Sequence, residues 1–499
     1  MLFRNTLAQS AGVFAGYVFS FILAPLMISR LGLDKFGVWS VTGAFATYAG
    51  LLDLGVGRSL IRFIAIFDAE DRQERVARTV GLGLITVTVV GIVALAVVAA
   101  AAPLLSDQLG VLTTEQMRAV AMASVAIWSF NGYQGVLNAV GQGKRQMVPP
   151  NIAISVALAI NFLFSVVALL LSTSLVVYAL ANAAAGLIGV LPCYAAMRGL
   201  AERPHWRRPS KPLVKEVLGY SIKDQVGWLA DLVNFQTDKL VIAFAVDIRA
   251  AAIYEIASRV VMGVRGAAIL TVSAMVPTAA ARIASEGREV VAEMYRRYTL
   301  RACSISFPLF MLASVTAPFL LVAWLGEAPG DSAALVAFLT FAYMFNLSTG
   351  VGSTIALAAG HPGVVSVNAV MIAILNVALT VALAPLFGVW GVVGGTFLAL
   401  TIGSFWFSWR FVKLFELSIS DFLAGIVPTG ALAIGLAVPP ALIAIVVGVP
   451  GGRLLAVVML AITVPLYVVP YWFLATRYDL LPTRLRLPRV HRVRSVEAA

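Results

Sequence analysis

Runs of about twenty apolar residues, each cut off by a short polar or basic turn, follow one another along almost the whole chain. A bilayer core about 30 Å thick takes about 20 residues per helical span. With no water there, each span must close its own backbone hydrogen bonds. The pattern predicts an all-α polytopic membrane protein. Composition agrees: 60% of the 499 residues are hydrophobic and 12% are charged, against about 25% charged in a soluble domain. So little chain is left outside the lipid that most soluble enzyme chemistry is excluded.

The runs divide into about fourteen spans: 7–31, 37–62, 80–105, 117–139, 150–172, 175–197, 219–245, 251–281, 298–325, 333–358, 364–386, 390–411, 423–447 and 453–475. Twelve result if the proline-rich 423–475 region is cut differently. The first run is longer than a signal-peptide core and reads as a retained helix. Basic residues set the orientation. About 27 of the 36 fall on one side, in the segments that include Arg72, Lys144, Arg208, Arg297, Lys413 and Arg489. The other side receives Arg30, Lys35, Arg118, Arg249 and Arg453. Both termini are therefore expected in the cytoplasm, and the span count should be even. The net charge of +12 belongs to these loops and to anionic lipid, not to nucleic acid. Cys193 and Cys303 lie near expected cytoplasmic helix ends, which implies no disulfide framework.

A weak internal repeat accompanies the spans. GQGKRQMVPPNIAIS (141–155) resembles AAGHPGVVSVNAVMI (358–372), with Gly143 on Gly360 and Asn151 on Asn368. Trp39 and Tyr254 lie at nearly the same offset near the start of each half. Two halves of six helices each are parallel repeats, which would place a substrate path between them. The expected organisation is an N-terminal lobe (1–197), a basic linker (198–218), a C-terminal lobe (219–415), two appended helices (416–475) and a basic tail (476–499).

Ionisable groups inside spans are costly unless paired or facing water, and here they are concentrated. Span 2 carries Asp53, Arg58 and Arg62; span 7 carries Lys223, Asp224, Asp231, Asp238 and Lys239; span 8 carries Glu255, Arg259 and Arg265. Asp224, Asp231 and Asp238 recur every seven residues, nearly on one helix face. Folding spans 7 and 8 as a hairpin about Ile248 matches Asp231 with Arg265, Asp238 with Arg259 and Lys239 with Glu255 by depth. Two readings are open: static ion pairs that fix packing, or groups that line a cavity and exchange partners. The Arg fork suits phosphate oxygens, although Arg58 and Arg62 stand where they can snorkel to the interface. Trp39, Trp324, Trp390 and Tyr467 read as interfacial anchors rather than sugar platforms. There is no phosphate-binding glycine loop, no HExxH, no Cys/His cluster and no GxSxG, so neither a metal site nor a catalytic residue is expected. An external enzyme such as a sugar polymerase would need a folded outer loop, and the outer loops are short.

Three stretches carry a family resemblance: NTLAQSAGVFAGYVFSFILAPLMISRLGLDKFGVWS (5–40), LLDLGVGRSLIRFIA (51–65), and FQTDKLVIAF (235–244) followed by AAIYEIASRV (251–260). Over about residues 1–420 the chain resembles the polysaccharide flippases, exporters of O-antigen and exopolysaccharide within the multidrug/oligosaccharidyl-lipid/polysaccharide superfamily. The resemblance implies a V-shaped pair of lobes in the bacterial inner membrane. It implies alternating-access movement of an isoprenoid diphosphate-linked oligosaccharide from inner to outer leaflet, in partnership with membrane lipids, a polysaccharide polymerase and glycosyltransferases. It implies no cofactor beyond H+ or Na+ coupling. By position, Arg58, Arg62, Arg259 and Arg265 would contact diphosphate or acidic sugar, and Asp53, Asp231, Asp238 and Glu255 would serve coupling or gating. Lipid II flippases and cation-coupled drug antiporters of the same superfamily are the alternatives.

Overall fold

The computed structural model describes residues 2–53, 56–200, 211–273 and 275–481, excluding the side chains of 2–15, 17, 52–58, 218, 220, 222–228, 273 and 276–278. Among these residues the chain is entirely helical. The helices are α1 (Leu2–Leu31), α2 (Leu33–Ala49), α3 (Val56–Ala69), α4 (Gln73–Leu109), α5 (Thr114–Gly143), α6 (Val148–Leu171), α7 (Leu175–Arg198) and α8 (Lys211–Ala245). They continue with α9 (Ile248–Ser273), α10 (Val276–Glu286), α11 (Val291–Leu325), α12 (Ser332–Ser348), α13 (Gly350–Ala358), α14 (Pro362–Leu414), α15 (Ile419–Val447) and α16 (Arg453–Arg477). A 3-10 turn, Gly50–Asp53, separates α2 from α3. α14 holds two rods, because Gly388 turns the chain at φ 57°. Among the described residues, eight helical stretches are long and apolar enough to cross a membrane, which makes this a multi-pass membrane protein. α8 and α9, with their charge cluster, fall outside those eight. The stretch expected as a linker over 198–218 is in part helix, since α8 begins at Lys211.

The cores show how the two halves meet. One apolar cluster crosses between them, joining Phe36, Val38 and Val41 of α2 to Ala251, Ala252 and Ile256 of α9. Toward the basic loops the halves keep separate cores. Leu60, Phe67, Val80 and Val140 build one; Met294, Tyr295, Ile355 and Phe407 build the other. The halves are thus sealed together at the end with few basic residues and have independent interiors at the other. Leu213 and Val217 of α8 join the first half's core, and the Ser221 hydroxyl donates to Ser59 Oγ at 2.7 Å. α15 and α16 pack on α11.

The seal depends on a residue without a side chain. A Cβ at Gly37 would collide with the carbonyl oxygen of Ile248 and crowd Ala252. Gly37→Val should force α2 and α9 apart, which would make a cysteine placed at Ser20 in α1 more reactive to an impermeant thiol reagent added from the outside. Unchanged labelling would show that the seal lies elsewhere.

A polar clamp closes the basic end of the first half. Lys144 Nζ lies 3.1 Å from Asp68 Oδ1 and donates to Gln73 Oε1 at 2.7 Å, while Gln73 Nε2 donates to Asp68 at 3.0 Å. The Gln73 amide, with help from Lys144, holds the Asp68 carboxyl below its ordinary value of 3.8. A lowered folded-state pKa gives stability above that value that fades as pH falls through the folded one. The clamp should therefore hold at neutral pH and release in acid, below about pH 4. Asp68→Asn at pH 7 should mimic the release, seen as faster amide exchange over residues 144–148.

Candidate functional site

α8 and α9 form the hairpin that the charge pattern required. Lys239 Nζ meets Glu255 Oε2 at 2.9 Å, and Arg259 Nε meets Glu255 Oε1 at 2.9 Å one turn along α9. One carboxylate thus lies between two cations and leaves a net positive group. Arg259 extends further: Nη1 donates to Ser20 Oγ of α1 at 3.0 Å, and its guanidinium lies over the Phe36 ring, 5.1 Å from the centroid. Its side chain keeps 22% exposure, so donor positions stay open to a ligand.

Asp238 is placed differently from its expected pairing with Arg259. It is fully buried, and its Oδ2 accepts from Tyr254 Oη at 2.7 Å and from Thr396 Oγ1 at 2.7 Å. Asn376 Nδ2 donates to Thr396 Oγ1 at 3.1 Å. The correction has a simple cause. Equal depth on two helices does not fix the direction of a side chain, and Asp238 turns toward α14 while Arg259 turns toward α1. Close packing brings α14 there: after the turn at Gly388, a Cβ at Gly391 would strike the Leu383 carbonyl, and one at Gly395 would lie 2.9 Å from Thr380 N. Small residues let the two rods of α14 touch, so that Asn376 on one reaches Thr396 on the other. Asp238 Oδ1, Asn376 Oδ1 and, one turn earlier on α8, Asn234 Oδ1 are buried acceptors without a hydrogen-bond donor.

The remaining candidates scatter. Asp231 is exposed whereas Asp238 is buried, so residues seven apart on α8 share a face without sharing an environment. Arg265 does not pair with Asp231. Its guanidinium lies over Phe235 at 4.6 Å and toward Tyr343 at 5.9 Å, and it makes no ion pair among the described residues. Arg62 is exposed on α3. Asp53 closes the 3-10 turn and Arg58 lies in α3, but both side chains fall outside the described ones.

Two cavities meet at Arg259. One, of about 260 Å³, is the more polar of the two and runs into the first half between α1, α5, α6 and α7; Asn131, Gln134 and Asn161 line it together with Trp39, Tyr178 and Arg259, beside the apolar Leu23, Ile127 and Leu158. The other, of about 360 Å³, is apolar and lies between α1 and α9, lined by Val18, Phe21, Ile22 and Met262 as well as Arg259. Trp39 is therefore no interfacial anchor; it meets Tyr178 edge-on, 5.0 Å between centroids. Tyr467 is likewise buried, donating to the Ala433 carbonyl at 3.1 Å, and Trp324 stacks on Phe21 at 4.0 Å. Sequence reasoning weighed charges and passed over the uncharged amides and hydroxyls: Ser20, Asn131, Asn161, Tyr254, Asn376 and Thr396. Asparagine in the middle of apolar runs was the available signal.

Two halves sealed together at one end, with charged and polar groups where they meet, give a fold shared with solved transporters of the MOP superfamily. The chain belongs to the polysaccharide biosynthesis protein family, whose model matches residues 2–284. Its fold is similar to the lipid II flippase MurJ in an inward closed conformation, with TM-score 0.70 and 10% identity over 95% of this chain and 100% of that one. It is also similar to an inward-facing multidrug resistance MATE transporter of the MOP superfamily, with TM-score 0.66 and 17% identity over 81% and 96%. A third neighbour is a MOP superfamily transporter from Pyrococcus furiosus whose binding pocket has reversed polarity, with TM-score 0.51 and 16% identity over 83% and 94%. No curated protein matches the chain.

Proposed function

We propose that this protein is a flippase that carries an isoprenoid diphosphate-linked oligosaccharide from the inner to the outer leaflet of a bacterial cytoplasmic membrane, for surface polysaccharide biosynthesis. The observation that carries the reading is the junction at Arg259, where a polar cavity, a net positive group and an apolar groove follow one another. A lipid-linked sugar has the same order: hydroxyl-rich head, diphosphate, hydrocarbon tail. A sugar cannot cross hydrocarbon unaided, because its hydroxyls would lose their hydrogen bonds. A cavity lined by amides inside the first lobe, reaching Arg259 of the other, offsets that penalty while the tail stays in lipid. Both termini and the basic loops lie on the cytoplasmic side, by the bias of Lys and Arg.

Movement follows as rocking of the two lobes about their shared apolar core, which exposes the cavity to either face in turn. We assign coupling to Asp238. A carboxylate with one acceptor oxygen unmet, beside the unmet oxygens of Asn376 and Asn234, suits an arriving proton or a sodium ion. The net positive charge at Lys239, Glu255 and Arg259 disfavours a cationic drug as cargo. Reconstitution into liposomes with a fluorescent isoprenoid diphosphate oligosaccharide tests the function. Faster exchange between leaflets than in protein-free vesicles is expected; rates equal to those of empty vesicles would refute it.

A further inference from the structure

We propose that the polar cavity inside the first lobe is a binding site for one uncharged sugar residue, the unit attached to the anionic group held at Arg259. The inference rests on the flippase reading and adds which part of the head is recognised, and by what.

Size limits the occupant. Pockets that enclose drug-sized ligands run about 300–1,000 Å³. At about 260 Å³ this one takes a single ring and not a chain, so further sugars must extend out of it. Charge limits it next. Among the described residues, Arg259 is the one charged side chain in the cavity wall, and no carboxylate lines it. None of the described interior residues matches an ammonium group or a uronic acid.

Hydrogen-bonding capacity points to hydroxyls. An amide presents a carbonyl acceptor and an NH2 donor side by side, and a sugar hydroxyl is both donor and acceptor. Asn131 and Asn161 make no hydrogen bond to other described residues, although both face the cavity. Asn131 is exposed and Asn161 half-buried, so both amides stay accessible to a ligand in the cavity. Gln134 is held by the Gly186 carbonyl at 3.1 Å, which leaves its own carbonyl free to accept. Asn182 is different: Ser165 donates to it at 2.9 Å and it donates to the Tyr178 carbonyl at 2.9 Å, so it holds the wall rather than the ligand.

The aromatic groups supply the remaining surface. Phe19 and Phe162 stack at 4.5 Å, and Trp39 is fixed by its edge contact with Tyr178. The face of an aromatic ring is negative and attracts the slightly positive C–H face of a pyranose. Amides for the rim of a ring and aromatics for its face make a sugar site.

The test compares two soluble short-chain ligands in detergent, farnesyl diphosphate and farnesyl diphosphate N-acetylglucosamine, by isothermal titration. Wild type should bind the sugar-bearing compound at least about tenfold more tightly. Asn161→Ala with Asn131→Ala should abolish that difference while leaving affinity for farnesyl diphosphate unchanged. Arg259→Gln should weaken both compounds alike. Asn161→Ser, which replaces the amide with a hydroxyl that can still donate and accept, should retain part of the preference and serves if the double variant unfolds. Equal affinity of wild type for the two compounds, or a parallel loss of both in the double variant, overturns the sugar site. Normal binding with no movement between leaflets would instead count against the flippase reading alone.

Discussion

Asp238→Asn is expected to leave the protein folded and to stop gradient-driven transport. Asparagine has the shape of aspartate, and its carbonyl can still accept from Tyr254 and Thr396, which now meet Asp238 Oδ2 at 2.7 Å each. What is lost is the negative charge, hence the capacity to bind and release a cation. In liposomes with an imposed ion gradient, movement should fall to the rate without a gradient, while thermal stability stays near wild type. Asp238→Ala separates packing from charge. It leaves the buried Tyr254 hydroxyl without its acceptor, at roughly 1–3 kcal/mol, while Thr396 can still donate to the Val392 carbonyl, and it should lower stability visibly. If Asp238→Asn responds fully to the gradient, the coupling assignment fails and the carboxylate is structural.

Arg259→Gln should give the second large effect. A unit charge about 5 Å from a phosphate contributes on the order of 3 kcal/mol at an effective dielectric of about 20. Its loss should weaken binding of an isoprenoid diphosphate by roughly a hundredfold. Arg259→Lys keeps the charge but gives up the planar fork, and should fall between the two. The neighbours complicate a simple reading in a useful way. Glu255 would still be paired by Lys239 at 2.9 Å, so the variant leaves no isolated buried carboxylate. Impairment can then be read as loss of an anion site. Affinity within twofold of wild type would remove Arg259 from the site.

Much of this architecture is legible in the chain itself. The spacing of apolar runs gave helices and turns, because helix length is a local response to a bilayer. The concentration of charge in spans 7 and 8 located the junction of the lobes for the same reason: lipid does not tolerate it. Lys239 and Glu255 could be matched by depth because a tight hairpin fixes depth. Direction could not be matched. Asp238 turned to Thr396, 158 residues away in sequence, and Arg265 turned to two aromatic rings. Trp39, a plausible interfacial residue by position, became part of a cavity wall.

The sequence determined that this chain lies in a membrane as helices and where its expensive groups sit, since both follow from transfer of side chains and backbone out of water. Only the tertiary structure decided which of those groups meet. A buried hydrogen bond depends on side-chain direction at a helix crossing, and that is set by close approaches such as Gly395 against Thr380, which no single segment encodes.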